Sequence, residues 1–186
     1  MLHLAEGDAA LDVCCGTGDF LVPLRSAVGP KGRVFGVDFA APMLDLAITK
    51  THEPVALGDA CRLPVATSAV DAVTVGWGIR NVPDIPQALA EIARVLKPGG
   101  RFVCVDMAQP RNPLIRRVSR GVFHRMSPLL GRLFGQRQAY TYLPRSTDQF
   151  LSRIELAAAI ERAGFDHVRY EDRMLGNICI HFGVRR

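Results

Sequence analysis

The stretch Ala10–Phe20, ALDVCCGTGDF, decides the fold of this chain. An apolar run ends at two closely spaced glycines, Gly16 and Gly18, and a pattern typical of a helix follows at once. This order predicts a buried strand, a tight turn and a helix N-terminus. Glycine suits such a turn because it reaches positive φ at little cost and lets the backbone approach a ligand closely.

The glycine spacing distinguishes between possible ligands. A dinucleotide site uses G-x-G-x-x-G, whose third glycine lets strand and helix pack around a pyrophosphate, but the third position here is Leu21. An acid, Asp12, stands four residues before Gly16. This pattern resembles motif I of class I S-adenosylmethionine (SAM) methyltransferases, whose ligand has no phosphate. A dinucleotide site and a corner without a ligand stay open as alternatives.

Length and composition limit the class of protein. The 186 residues fit one domain, which we place at residues 1–186, and 48% hydrophobic with 22% charged residues is ordinary for a globular protein. No apolar run approaches the roughly 20 residues of a membrane span, and no signal peptide pattern is visible. The five cysteines form no C-x-x-C pair, so we expect no metal site and a cytoplasmic location.

The positive charge is concentrated in one segment. Residues 107–147 contain eight arginines, no lysine and no acid, whereas the rest of the chain holds 23 − 8 = 15 basic and 18 acidic residues. A helix through this segment would be amphipathic, with Leu114 and Val118 on the apolar side and Arg116 and Arg117 opposite. Basic amphipathic helices suit an anionic membrane surface. A lid packed on the sheet is the alternative, and the two are compatible.

Strand-like and helix-like segments alternate along the chain. This predicts an α/β fold: a seven-stranded, mostly parallel, Rossmann-like sheet with helices on both faces and a C-terminal antiparallel hairpin. In such sheets the ligand lies at the carboxyl ends of the strands. Asp38 ends the second strand, where an acid accepts hydrogen bonds from ribose hydroxyls. Asp59 follows the third strand and could accept from an adenine amino group or form an Asx-turn.

Several acids and glycines therefore meet at one predicted edge of the sheet, and this favours SAM. The residues that we predict to bind it are Asp12, Gly16, Thr17, Gly18, Asp38, Phe39, Met43, Asp59, Ala60, Gly76 and Trp77.

Four further stretches carry a specific resemblance. Gly78–Asp84, GIRNVPD, resembles a signature of the C-methyltransferase family of ubiquinone and menaquinone biosynthesis, and Arg94–Arg101, RVLKPGGR, resembles a second one that many other methyltransferases share. Tyr140–Ser146, YTYLPRS, and Ile178–Gly183, ICIHFG, are similar to two later family motifs. Motif I, read over Asp12–Asp19, looks closer to menaquinone-type members.

The resemblance implies a class I SAM methyltransferase that methylates a ring carbon of a polyprenylated quinol, with demethylmenaquinol as the expected substrate. Removing a phenolic proton makes the ortho carbon nucleophilic, so the site needs groups that favour the phenolate. We predict that Arg80 and Asn81 do so, and that Tyr140 and Tyr142 contact the quinol.

The same resemblance sets expectations for the termini and partners. Only eight residues precede the first strand, so we expect the family's N-terminal helical segment to be absent from this chain. We interpret residues 111–147 as a basic helical lid or substrate insertion. Within it, we expect residues 111–137 to make a peripheral contact with the inner face of an anionic membrane. Nucleic acid is not an expected partner, and the oligomeric state is open, with a homodimer as one option.

Other functions stay open at this point. The chain could be a SAM methyltransferase for another small molecule or for RNA, or a truncated SAM-binding protein without activity. Against RNA, the basic segment interleaves arginine with aliphatic residues rather than with stacking aromatics.

Overall fold

A computed structural model of the chain describes residues 2–119, 121 and 150–186. Seven strands form a single sheet in this part of the chain. The strands are β1 (Ala9–Val13), β2 (Arg33–Asp38), β3 (Val55–Leu57), β4 (Val70–Gly76), β5 (Leu96–Met107), β6 (Phe165–Arg173) and β7 (Ile178–Arg185).

The sheet has the order β3-β2-β1-β4-β5-β7-β6. The first five strands run parallel, and β7 pairs antiparallel with both β5 and β6. The predicted fold, a seven-stranded and mostly parallel sheet with a C-terminal antiparallel hairpin, is therefore confirmed. The chain order reverses direction between β1 and β4, and a crevice forms at such a switch point.

Helices follow β1, β2, β4 and β5, whereas no helix is described between β3 and β4. They are α1 (Leu21–Val28), α2 (Ala41–Thr51), α3 (Ile85–Val95) and α4 (Arg153–Arg162), with shorter 3₁₀ turns at Ile79–Asn81 and Met174–Gly176. A further helical segment is described at residues 113–119.

Neighbouring residues of β1 bury against opposite layers, because successive side chains of a strand point to opposite faces. Ala10 packs with Leu21, Leu24 and Val28 of α1, whereas Leu11 belongs to the larger cluster that includes the buried face of α3. Both faces of the central strand are thus covered, as its wholly buried sequence requires.

The N-termini of α3 and α4 follow capping rules. The Asp84 side chain accepts a hydrogen bond from the backbone N–H of Gln87 at 3.0 Å. At α4, Ser152 and Glu155 form a reciprocal capping box. These caps satisfy backbone donors that a helix would otherwise leave without partners. The first one matters for function because it fixes where the loop after β4 turns into α3.

The segment Lys97–Gly100 lies within a strand, although its proline and two glycines are typical of a turn. The helix α3 ends at Val95 and β5 begins at once at Leu96, which pairs with Val70. The next pair is Ala72 with Arg101, so Lys97–Gly100 bulges out within the strand. Such a bulge accommodates extra residues without moving the carboxyl end of β5 out of register with β4.

The packing of α3 on the sheet yields a stability prediction. Ile92 is fully buried on α3, whereas Ile154 on α4 is 67% exposed. We expect Ile92→Ala to lower the free energy of unfolding by about 2–5 kcal/mol, because it leaves a cavity, and Ile154→Ala to change it by less than about 0.5 kcal/mol. Urea unfolding measures both. Equal losses in the two variants would contradict this packing.

Candidate functional site

A cavity of about 860 Å³ opens at the carboxyl ends of β1, β2 and β4. This volume lies within the roughly 300–1,000 Å³ of small-molecule sites. Every predicted cofactor-binding residue except Gly18 lines it, and so does Asn81. The described lining residues are Asp12, Cys14, Cys15, Gly16, Thr17, Asp19, Phe20, Val37, Asp38, Phe39, Ala40, Met43, Gly58, Asp59, Ala60, Gly76, Trp77, Gly78, Asn81, Val82 and Pro83.

The glycine turn after β1 forms the floor of the cavity. Gly16 and Gly18 both have positive φ, 51° and 80°, which other residues rarely adopt. A Cβ on Gly18 would lie 2.9 Å from Thr51 Cγ2 of α2. Gly18 therefore faces the packed side of the turn, which explains why it does not line the cavity.

Asp38 joins this turn to the end of β2. Its Oδ2 accepts a hydrogen bond from the Gly16 N–H at 2.8 Å, and its Oδ1 accepts one from the Ala40 N–H at 2.9 Å. Each carboxylate oxygen can accept a second hydrogen bond. Asp38 thus holds the turn in place and keeps capacity for ligand hydroxyls. Its predicted contact with ribose stays a prediction.

Asp12 is a buried acid at the centre of the site. It is 1% exposed, and its Oδ1 accepts a hydrogen bond from Thr74 Oγ1 at 2.6 Å. Burial raises the pKa of Asp12 from 3.8 to about 7, with smaller upward contributions from the charges of Asp38 and Asp19, while the Thr74 hydrogen bond opposes the shift. A cation bound in the cavity would favour the ionised form of this carboxyl.

Asp59 follows β3 and lines the cavity. Its Oδ1 accepts a hydrogen bond from the Cys61 N–H at 2.8 Å, which is the Asx-turn considered as an alternative from the sequence. A turn-forming role and a ligand role are therefore compatible, and the contact with adenine stays a prediction.

Apolar side chains and close backbone approach shape the opposite wall. Gly76 and Gly78 allow this approach, because a Cβ at either position would lie 2.3 Å from an atom of Phe20 or Cys14 respectively. Trp77 between them has a φ of 60°, a strained conformation for a bulky residue. Strain of this kind persists only where surrounding packing imposes it, often at functional sites.

The predicted phenolate-stabilising residues take different positions. Asn81 lines the cavity, whereas Arg80 does not. The Arg80 side chain is 6% exposed and forms an ion pair with Asp106 at the end of β5. Tyr140 and Tyr142 lie outside the described residues, as does most of the 111–147 segment. The catalytic roles of all four residues stay predictions.

Sequence reasoning missed several lining residues. Asp19 and Phe20 directly follow the glycine turn, so their position next to motif I could have indicated them. Val82 and Pro83 fall within the quoted family signature. By contrast, nothing in the local sequence shows that Cys14, with a φ of 57°, turns towards Gly78.

The described residues carry neither a metal cluster nor a membrane-spanning helix. No cluster of three or more His, Cys, Asp or Glu side chains could hold a metal ion. In the same part of the chain, no helix has the length and apolarity needed to cross a membrane.

Comparison with known proteins points to one family. Residues 2–185 match the family model described as the ubiE/COQ5 methyltransferase family. A demethylmenaquinone methyltransferase of Lactiplantibacillus plantarum is 44% identical over 192 residues, which cover 99% of this chain and 81% of that protein. One of Staphylococcus aureus is 43% identical over 189 residues, covering 99% of this chain and 78% of that protein.

Solved structures share the fold at lower identity. A SAM-dependent methyltransferase from Aquifex aeolicus has a TM-score of 0.71 at 20% identity, covering 98% of this chain and 85% of that one. An N-methyltransferase from Haemonchus contortus, solved with S-adenosylhomocysteine, has a TM-score of 0.71 at 18% identity, covering 98% of this chain and 49% of that one.

The raised pKa of Asp12 predicts a pH-dependent stability. The protonated Asp12 contributes to the free energy of unfolding. This contribution is fully present below the unfolded pKa of 3.8 and is lost as the pH rises through the folded pKa of about 7. Between pH 5 and pH 8 we expect Asp12 to remove about 3 kcal/mol from the free energy of unfolding, and Asp12→Asn to lack this decrease. Urea unfolding at both pH values measures it.

The exposed Asp45 on α2 provides the control, since Asp45→Asn should keep the pH dependence of the unmodified chain. Other titrating groups are common to all variants and cancel in the comparison. Parallel pH profiles for Asp12→Asn and the unmodified chain would contradict a buried acid that titrates near neutrality.

Proposed function

The chain belongs to the ubiE/COQ5 methyltransferase family, and on this premise we propose that it transfers a methyl group from SAM to a ring carbon of a polyprenylated quinol. The proposed reaction converts demethylmenaquinol and SAM to menaquinol, S-adenosylhomocysteine and a proton, the proton being the one that leaves the methylated ring carbon. Support for this substrate comes from relatives 43–44% identical over nearly the whole chain, both named demethylmenaquinone methyltransferases.

The charge of the cavity is the observation that carries the cofactor assignment. Its described lining residues include four carboxyl groups, those of Asp12, Asp19, Asp38 and Asp59, and no lysine or arginine; Asp19 is ion-paired with Lys50, which does not line the cavity. Such a lining attracts a cation and repels a pyrophosphate. SAM carries a sulfonium, an ammonium and a carboxylate group and thus a net positive charge, whereas a dinucleotide carries two phosphates, so the residues fit SAM and disfavour the dinucleotide alternative.

We assign the holding of SAM to the residues predicted from the sequence. Asp38 and Asp59 would accept hydrogen bonds from its ribose and adenine, and Asp12 would face its ammonium group. When bound, SAM supplies an electrophilic methyl group on a cationic sulfur. Since methyl transfer consumes that charge, a dry apolar wall favours the reaction, and Phe20 and Val82 contribute to such a wall.

The chain must also favour the phenolate of the quinol. Asn81 lines the cavity, where its side chain can hydrogen-bond a ring oxygen. Arg80 precedes Asn81 in the same 3₁₀ turn, and its guanidinium is ion-paired with Asp106. We keep both as the residues that favour the phenolate, with Tyr140 and Tyr142 as proposed contacts for the quinol.

Because a polyprenylated quinol is a lipid, we propose that the chain contacts an anionic membrane, where this substrate would be found. Leu114 and Val118, one helical turn apart, are 69% and 58% exposed, and Arg111, Arg116 and Arg117 beside them are exposed too. Apolar side chains flanked by arginines suit insertion at a lipid headgroup layer. Embedding the quinol in vesicles with and without anionic lipid tests this contact, and equal rates in both would contradict it.

A methyl-transfer assay tests the proposed activity. With labelled SAM and reduced demethylmenaquinone, we expect label in menaquinone at a rate far above the chain-free reaction, because enzymes typically accelerate reactions by at least about 10⁶-fold. A pool of unmodified RNA serves as the competing acceptor. Label in RNA, or no transfer to the quinol by a chain that binds S-adenosylhomocysteine, would contradict the proposal.

Asp38→Ala tests the placement of the cofactor. Losing the carboxylate removes a charged acceptor and frees the Gly16 turn, so affinity for S-adenosylhomocysteine should fall by about 1.5–3 kcal/mol, roughly 10–150-fold. Isothermal titration calorimetry measures this change. Asp45→Ala, at an exposed position of α2, should bind as the unmodified chain does. Undiminished affinity in Asp38→Ala would show that the ribose is held elsewhere.

A further inference from the structure

Asp106 is a buried acid that neither the predicted site nor the cavity lining includes. It lies near the carboxyl end of β5, next to Val105, which pairs with Gly76 of β4. Its side chain is 3% exposed. The residue therefore sits directly behind the wall that the loop after β4 contributes to the cavity.

The carboxylate of Asp106 clamps Arg80 at two points. Its Oδ1 pairs with the guanidinium Nη1 of Arg80, and its Oδ2 lies 3.3 Å from the Arg80 backbone nitrogen, which donates to it. The backbone N–H of Met107 donates to Oδ1 at 2.7 Å. One carboxylate thus ties both the side chain and the main chain of Arg80 to the end of β5.

The clamped residue belongs to the loop that walls the cavity. Arg80 is the middle residue of the 3₁₀ turn Ile79–Asn81, and Asn81, Val82 and Pro83 line the cavity. Within the turn, the backbone N–H groups of Asn81 and Val82 donate to Gly78 and Ile79. Fixing Arg80 consequently fixes the position of three lining residues.

Energetics favour a role in geometry over one in stability. Burying two charges is costly, and a buried ion pair often stabilises a fold no better than apolar residues would. Burial raises the pKa of Asp106, and the charge of Arg80 opposes this shift. In the part of the chain that the structure describes, Arg80 Nε is buried without a hydrogen-bond partner, so the pair is not optimised for stability.

We infer that Asp106 is a positioning residue for methyl transfer, which acts by clamping Arg80 and so holding the loop 78–83 against the cavity. The inference rests on the proposed function for its effect on turnover, but the clamp itself can be measured without turnover. Its charge matters as well, because it neutralises a buried guanidinium beside a site proposed to bind a cationic donor.

Hydrogen exchange of the intact chain tests the clamp independently of activity. In Asp106→Asn, amides of residues 79–82 should exchange at least about tenfold faster, while those of α3 keep their rates, because only the loop loses its anchor. The matched control is Asp71→Asn, which breaks the Lys97–Asp71 ion pair near the opposite end of the neighbouring strand β4 and should leave the loop unchanged. Unchanged loop rates in Asp106→Asn, or equal acceleration in α3, would overturn the inference.

Kinetics of the same variants test the effect on transfer. Asp106→Asn should lower kcat by at least about tenfold, since small misplacements of a site cost rate, while affinity for S-adenosylhomocysteine stays within about threefold. Asp106→Glu, which keeps the carboxylate, should recover part of kcat. Equal kcat in Asp106→Asn and the unmodified chain would overturn the role in transfer.

A double variant tests whether Asp106 acts through Arg80. If an unpaired guanidinium prevents Asp106→Asn from folding, Arg80→Gln remains the reference, because burial raises the pKa of Asp106 and so favours its neutral form. Arg80→Gln with Asp106→Asn leaves no buried charge at this site, and its kcat should match that of Arg80→Gln within about twofold, because Asp106 acts through Arg80. If the double variant instead loses kcat by the product of the losses in the two single variants, the inference is overturned. If the unmodified chain transfers no methyl group to the quinol, the proposed function fails, and hydrogen exchange still decides whether the clamp exists.

Discussion

The carboxylate of Asp38 connects the ends of two parallel strands, and the shape of the cavity depends on this connection. Its two oxygens accept hydrogen bonds from Gly16, in the turn after β1, and from Ala40, just before α2. Parallel strands place their carboxyl ends at one edge but leave the loops between them unpaired. The single side chain of Asp38 anchors two such loops. As a result, Asp12 of β1 and the glycine turn that follows β1 line the same cavity.

The fold and the edge that carries the site were predictable from local sequence, because strand ends follow from apolar runs that stop at an acid or a glycine. Asp38 and Asp59 were identified in this way, and both line the cavity. Asp106 lies one residue before the end of β5, yet its partner could not be read from the sequence. That pairing joins residues 26 positions apart and depends on how the loop at Arg80 folds over β5.

The charged groups of the site lie in two layers, one that lines the cavity and one that is buried behind its wall. Carboxyl groups and apolar side chains line the cavity, whereas the guanidinium of Arg80 is buried behind the wall with its own counterion. This arrangement keeps carboxyl groups towards a cationic cofactor, while Asp106 neutralises the guanidinium behind the wall. Local sequence indicated Arg80 through a family signature, but its burial is a property of tertiary packing.

The central claim is that the acid-lined cavity at the ends of β1, β2 and β4 binds the methyl donor. A crystal structure of the chain with S-adenosylhomocysteine tests it most directly. We predict the ligand in this cavity, with its ribose hydroxyls on Asp38 and its sulfur facing the loop 78–83. Ligand bound at another surface, or a ligand whose ribose lies away from Asp38, would contradict the account.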